Sequence, residues 1–173
     1  MNSKIKKMIF CSLFAAICAI FSQISIPAGF TVISLATAAF FIAGGLLGAK
    51  LGTLSIAIYI ALGAVGLPVF SNFRGGISHL VGPAGGYIIG YLVGALVIGL
   101  IVQKQNKFWL YCIAMLAGIA VCYTLGTAWY IYITKNPLGV SLMSCVVPFI
   151  PGDLIKIALS AWLCRRLKPL LKL

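Results

Sequence analysis

Residues 146–164 read VVPFIPGDLIKIALSAWLC, an apolar stretch that holds a carboxylate, Asp153, and an ammonium, Lys156, three positions apart. Asp153 is the only acidic residue among 173. A helix that crosses a bilayer needs about 20 apolar residues, which this stretch supplies. A charge inside such a helix is costly and marks a functional site by default. Pro148 and Pro151-Gly152 put the start of the helix near residue 152 or 153. Asp153 then falls in the first turn, where a carboxylate can cap free backbone N–H groups and interact with the helix dipole. Lys156 shares that helix face, and capping leaves it unexplained. A buried ion pair stays expensive unless further groups satisfy it, so the pair also fits a site that receives a polar ligand.

The rest of the chain has the same character. It is 62% hydrophobic and 8% charged, with mean hydropathy +1.16, which excludes an ordinary soluble domain. Apolar runs bounded by turn residues or charge predict six spans, at about 8–26, 31–49, 51–68, 83–103, 108–133 and 146–164. The expected fold is all-α, a polytopic membrane protein forming one membrane domain over residues 1–173. The net charge of +12 would suggest nucleic acid in a soluble protein; here its distribution reads as topology. Lys4, Lys6, Lys7, Lys50, Lys104, Lys107, Arg165, Arg166, Lys168 and Lys172 fall on one side of the six-span plan, while the other side holds only Arg74 and Lys135. The positive-inside rule puts both termini in the cytoplasm and the protein in the cell membrane, with the bilayer and not nucleic acid as its surroundings. The basic, then apolar N-terminus resembles a signal peptide, but without a clear cleavage site before Gln23 it reads as an uncleaved first helix.

Small residues recur at Gly82, Gly86, Gly90 and Gly94, and again at Gly44, Gly48 and Gly52. Such faces let helices approach closely in lipid; packing is the plain reading, sliding or gating the other. Ala15 and Ala19 form an AxxxA pair in the uncharged segment SLFAAICAIFS, residues 12–22. It suits either intramolecular packing or docking of another membrane protein. Cys11, Cys18, Cys112, Cys122, Cys145 and Cys164 lack metal-site spacing and read as small buried residues. No metal or other cofactor is expected.

Residues 68–82, PVFSNFRGGISHLVG, form the longest outer connection. Pro68 ends a helix and Gly75-Gly76 permits backbone angles closed to other residues, as a lid or reentrant loop over a pocket requires. Asn72 offers a donor and an acceptor, suited to a urea or amide group. Tyr87, Tyr91, Phe70, Phe73 and Trp162 are candidate apolar walls, with lipid-facing or core positions the alternative. Arg74 can hold an anion or simply be solvated, and His79 reads as a loop residue.

GLPVFSNFRGG at 66–76, LVGPAGGYIIGY at 80–91 and FIPGDLIK at 149–156 together resemble the BioY family, the biotin-binding S components of energy-coupling factor (ECF) transporters. VISLATAAFFIAG at 32–44 is a looser match, with Ala36 where members tend to carry glutamine. The resemblance implies a substrate-binding membrane subunit that captures biotin on the outer side. Asp153, Lys156 and Asn72 match positions associated with ligand binding, Tyr87 is a further pocket candidate, and Ala15 and Ala19 match the AxxxA signature that contacts the transmembrane coupling subunit. Two ATPase subunits would complete the complex.

Chemistry gives the same picture. Biotin offers two ureido N–H donors, a carbonyl, an apolar ring and a carboxylate. Asp153 can accept from a ureido N–H and Asn72 can complement the carbonyl or the other N–H; Lys156 can either pair with the carboxylate or support Asp153. No GxxxxGK[ST] phosphate loop occurs, so ATP hydrolysis is expected in partners. A proton-coupled secondary transporter using Asp153 is the main alternative, although an adjacent ammonium works against the protonation step it needs. An enzyme is disfavoured because paired acids and a metal cluster are missing from the sequence.

Overall fold

The computed structural model describes residues 3–28, 31–103 and 105–171. Lys104 and Lys172, which count toward the charge bias, lie outside the described residues. Helix α1, Ser3–Gln23, leads into a short ribbon in which β1, Ser25–Ala28, pairs antiparallel with β2, Thr31–Ser34. The ribbon is the one departure from an all-helical plan among the described residues, and it moves the start of the second span from residue 31 to Ala36.

Helix α2, Ala36–Ala64, holds two of the expected spans. At Gly48 the backbone leaves the helix, with φ 75° and ψ −174°, angles that favour glycine. A Cβ built on Gly52 would lie 2.6 Å from the Ala43 carbonyl oxygen. In a straight helix those residues would be about 13 Å apart along the axis, so the chain doubles back at Gly48 and the arms 36–47 and 49–64 lie side by side. The reversal falls two residues before the break expected at Lys50.

A 3-10 turn, Ser71–Phe73, and helix α3, Ile77–Val81, occupy the long connection. They are followed by α4, Gly85–Ile101; α5, Phe108–Thr134; the short α6, Leu138–Cys145; a second 3-10 turn, Val147–Phe149; and α7, Ile150–Leu171. With α1 and the two arms of α2, helices α4, α5 and α7 make the six expected segments. Four stretches among the described residues are long and apolar enough to cross a membrane: Lys4–Gln23, Ala36–Ala64, Phe108–Thr134 and Leu138–Leu171, with Gly85–Ile101 apolar but shorter.

Glycines let α4 sit between α2 and α5. A Cβ on Gly44 would lie 2.7 Å from the Ala95 oxygen, one on Gly90 3.0 Å from the Cys122 Cα, and one on Gly94 2.9 Å from the Gly118 oxygen. Larger residues at these points would force the helices apart. Gly82 falls outside α4, at the end of α3. Phe40, Phe41, Ile98 and Met115 fill the core between these helices. Leu13, Ile20, Trp109, Leu116, Leu159 and Trp162 face outward, while Ser55, Thr127, Asp153 and Ser160 are buried. An apolar exterior around polar interior groups is the arrangement lipid requires.

Candidate functional site

At the end of the bundle where the 66–84 connection lies, α2, α4, α5, α7 and that connection enclose a cavity of about 240 Å³, somewhat below the roughly 300–1,000 Å³ typical of ligand pockets. Asn72, Tyr87, Asp153 and Lys156 all line it. The fold thus brings together four residues that the sequence spreads over more than 80 positions.

Asp153 is 3% exposed. Its Oδ1 accepts from the Thr37 hydroxyl at 2.9 Å and from Lys156 Nζ at 3.0 Å, and its Oδ2 accepts from the Tyr123 hydroxyl. Lys156 also donates to the Ser34 carbonyl at 2.8 Å and to Thr37 Oγ1 at 3.0 Å. The three ammonium hydrogens therefore have three acceptors, and Thr37 donates to one partner while accepting from the other. Neutral groups on α2 and α5 supply what a buried ion pair needs beyond its own attraction. Among the described residues the carboxylate's partners are side chains, so helix capping does not account for Asp153. Its Oδ2 keeps a lone pair for a further donor.

The loop wall is built differently. Phe70 N–H donates to the Arg74 oxygen at 2.9 Å and Arg74 N–H to the Phe70 oxygen at 3.2 Å, closing a tight turn. Asn72 and Phe73 within it have φ of 62° and 55°, left-handed angles that cost about 1–2 kcal/mol for ordinary residues. The end of α1 holds this turn. Gln23 donates to the Pro68 and Phe70 carbonyls at 3.2 and 3.1 Å and accepts from Phe73 N–H at 2.9 Å; the Ser22 hydroxyl donates to the Val69 oxygen. Asn72 Oδ1 accepts from Ser25 at 3.2 Å, leaving its amide hydrogens for the cavity.

Phe70, 1% exposed, packs edge-on against Tyr59 and under the ring of His79. His79 lies in α3 and lines the cavity, so it is more than a loop residue. Burial, and then the positive charge of Arg74, push its pKa below the ordinary imidazole value. Tyr87 shares a 3.0 Å hydrogen bond with Thr127, and Tyr91 completes an aromatic wall. Two of the expected walls are elsewhere: Phe73 is 73% exposed and Trp162 55% exposed, and neither lines the cavity. Thr37, Tyr123, Ser34 and Gln23 were not singled out from sequence. Of the AxxxA pair, Ala15 is buried in the core and Ala19 half-buried against it, while Ser12, Leu13, Ala16 and Ile20 face outward on α1.

The BioY family model matches residues 1–173. A biotin transporter BioY of Thermotoga maritima is 39% identical over 95% of this chain and 97% of its own length. A probable biotin transporter BioY of Pyrococcus horikoshii is 36% identical over 95% and 98%. A crystal structure of the S-component for biotin from an ECF-type ABC transporter superposes with a TM-score of 0.90 at 34% identity, covering 98% of this chain and 95% of that one. The match runs through every helix and both walls of the cavity, which makes this chain a multi-pass membrane protein and a member of the BioY family.

Proposed function

We propose that this chain is the biotin-capturing S component of an ECF-type transporter, acting as a single membrane domain. The observation that carries the reading is a buried carboxylate, fully oriented by Thr37, Tyr123 and Lys156 yet retaining a lone pair beside a largely apolar cavity. Asp153 accepts a ureido N–H of biotin, the Asn72 amide donates to the ureido carbonyl, and Tyr87 and Tyr91 face the apolar ring. Because its three donors are committed, Lys156 serves as the brace of Asp153. A ligand without the ureido group would leave these buried polar atoms unpaired, which is a strong source of selectivity.

The charge bias supports cytoplasmic termini and a cavity that opens outward. The absence of a phosphate loop supports ATP hydrolysis in two partner subunits, joined through a transmembrane coupling subunit. That subunit contacts the outward face of α1, where Ser12, Leu13, Ala16 and Ile20 lie; of the AxxxA pair, Ala19 is partly open to it, while Ala15 is buried and keeps this stretch slim from within. Enlarging Ala19 to Leu is expected to spare biotin binding and impair uptake; lost binding would remove the docking assignment.

Thr37, Tyr123 and Lys156 all donate to Asp153, which presents its carboxylate to a ligand as an acceptor held in place. Equilibrium binding of labelled biotin to the purified protein in detergent tests the proposal, with riboflavin and thiamine as competitors. Selective displacement by biotin alone supports it, and failure to bind biotin overturns it.

A further inference from the structure

Biotin carries a carboxylate, and an anion entering a membrane protein needs a cation with donors to spare. Asp153, Lys156, Arg74 and His79 are the charged and imidazole groups that line the cavity. Lys156 has already committed its hydrogens to Ser34, Thr37 and Asp153, and a ligand carboxylate could reach it only by breaking that network, the one that orients Asp153. His79 is held toward its neutral form by burial and by Arg74. Arg74 differs from both. Its backbone is fixed by two hydrogen bonds to Phe70, and its side chain has no hydrogen-bond or acidic partner among the described residues. It lies on the same turn as Asn72.

We propose that Arg74 is the specificity-determining residue for the ligand's carboxylate, so that biotin lies with its ureido ring toward Asp153 and its valerate tail toward Arg74. The assignment rests on the proposed biotin-binding function. It separates two tasks that the sequence leaves to Lys156: the lysine braces Asp153, and the arginine reads the acid. A guanidinium holds a carboxylate with two parallel hydrogen bonds, which an ammonium cannot do. The geometry therefore also predicts discrimination between the acid and its neutral derivatives.

The test compares biotin with biotinamide, in which a neutral amide replaces the carboxylate, on the wild-type protein and on Arg74→Gln and Arg74→Lys. A charged hydrogen bond of this kind corresponds to about ten- to a hundredfold in affinity. Wild type is expected to prefer biotin by that factor. Arg74→Gln should lose the preference because biotin weakens while biotinamide binds as before, and Arg74→Lys should keep part of it. Raising the salt concentration should weaken biotin more than biotinamide in wild type, to a lesser degree in Arg74→Lys, and not in Arg74→Gln. An unchanged preference in Arg74→Gln, or an equal fall for both ligands, overturns the assignment while leaving the biotin reading intact. Wild type that binds neither ligand overturns the biotin reading and this assignment with it.

Discussion

The two walls of the cavity are made on opposite principles. On the helix wall, Asp153 and Lys156 are nearly inaccessible, and each is tied to groups on other elements. On the loop wall, Asn72 and Arg74 are exposed, their turn carries left-handed residues, and their outer polar atoms are uncommitted. The helix wall is ordered before a ligand arrives and needs no rearrangement on binding. The loop wall contributes free donors, and its order is borrowed from α1 through Ser22 and Gln23.

The helix wall should be the more damaging one to break. Asp153→Asn removes a ureido acceptor and leaves Lys156 charged and buried without its partner. Breaking a buried pair from one side costs about 3–5 kcal/mol, so thermal stability should fall along with biotin affinity. The double variant Asp153→Asn with Lys156→Met should regain much of the melting temperature and none of the affinity. If the single variant binds biotin normally, the helix wall is structural and the comparison fails.

A substitution in neither wall supplies the control. Gly44→Val puts a branched side chain where even a Cβ would sit 2.7 Å from the Ala95 oxygen. Overpacking of this kind costs about 1–3 kcal/mol. Melting temperature should drop while biotin affinity per folded molecule is unchanged, because Gly44 does not line the cavity.

How much of this was legible in the sequence follows from the same physics. Lipid demands long apolar segments, so the six helices can be read from hydropathy, and the reversal at Gly48 comes close to the break marked by glycine and Lys50. Asp153 and Lys156 stand out because charge in an apolar run is rare. Thr37 and Tyr123 do not stand out: hydroxyl residues are ordinary in membrane helices, and their role arises only when α2 and α5 meet α7 across 116 and 30 positions of chain. The ribbon 25–34 was hidden for a related reason, since its β1 and β2 residues are as apolar as the span ends they interrupt.

Tyr123→Phe tests the hidden part of the helix wall with a smaller change. It deletes one hydroxyl that donates to Asp153 Oδ2 and keeps the ring. A hydrogen bond to a charged group contributes about 1.5–3 kcal/mol, and water from the cavity can replace part of it, so biotin affinity should fall about tenfold. Competition titrations check the figure. An unchanged affinity would mean that the carboxylate is held well enough by Thr37 and Lys156 alone.

The smallest effect should come from the clamp behind the loop wall, and it is kinetic in character. Gln23 touches no cavity atom, since it is not among the lining residues, yet its amide holds both sides of the turn that presents Asn72. Gln23→Ala frees the Phe73 N–H and the Pro68 and Phe70 carbonyls to water, each bond being worth about 0.5–1.5 kcal/mol net. The turn then samples conformations in which Asn72 and Arg74 point elsewhere, which weakens binding through the fraction of time the site is assembled. Affinity should drop about three- to tenfold, mainly through faster dissociation, with quicker hydrogen exchange at residues 70–74 and a melting temperature lowered by a few degrees. Gln23→Glu sharpens the result. It keeps the acceptor for Phe73 N–H but turns a carboxylate oxygen toward the two loop carbonyls, so it should be worse than Gln23→Ala if the donors matter and better if the acceptor does. Equal dissociation rates in wild type and both variants would show that the loop holds itself, and that the two walls differ in exposure but not in what keeps them ordered.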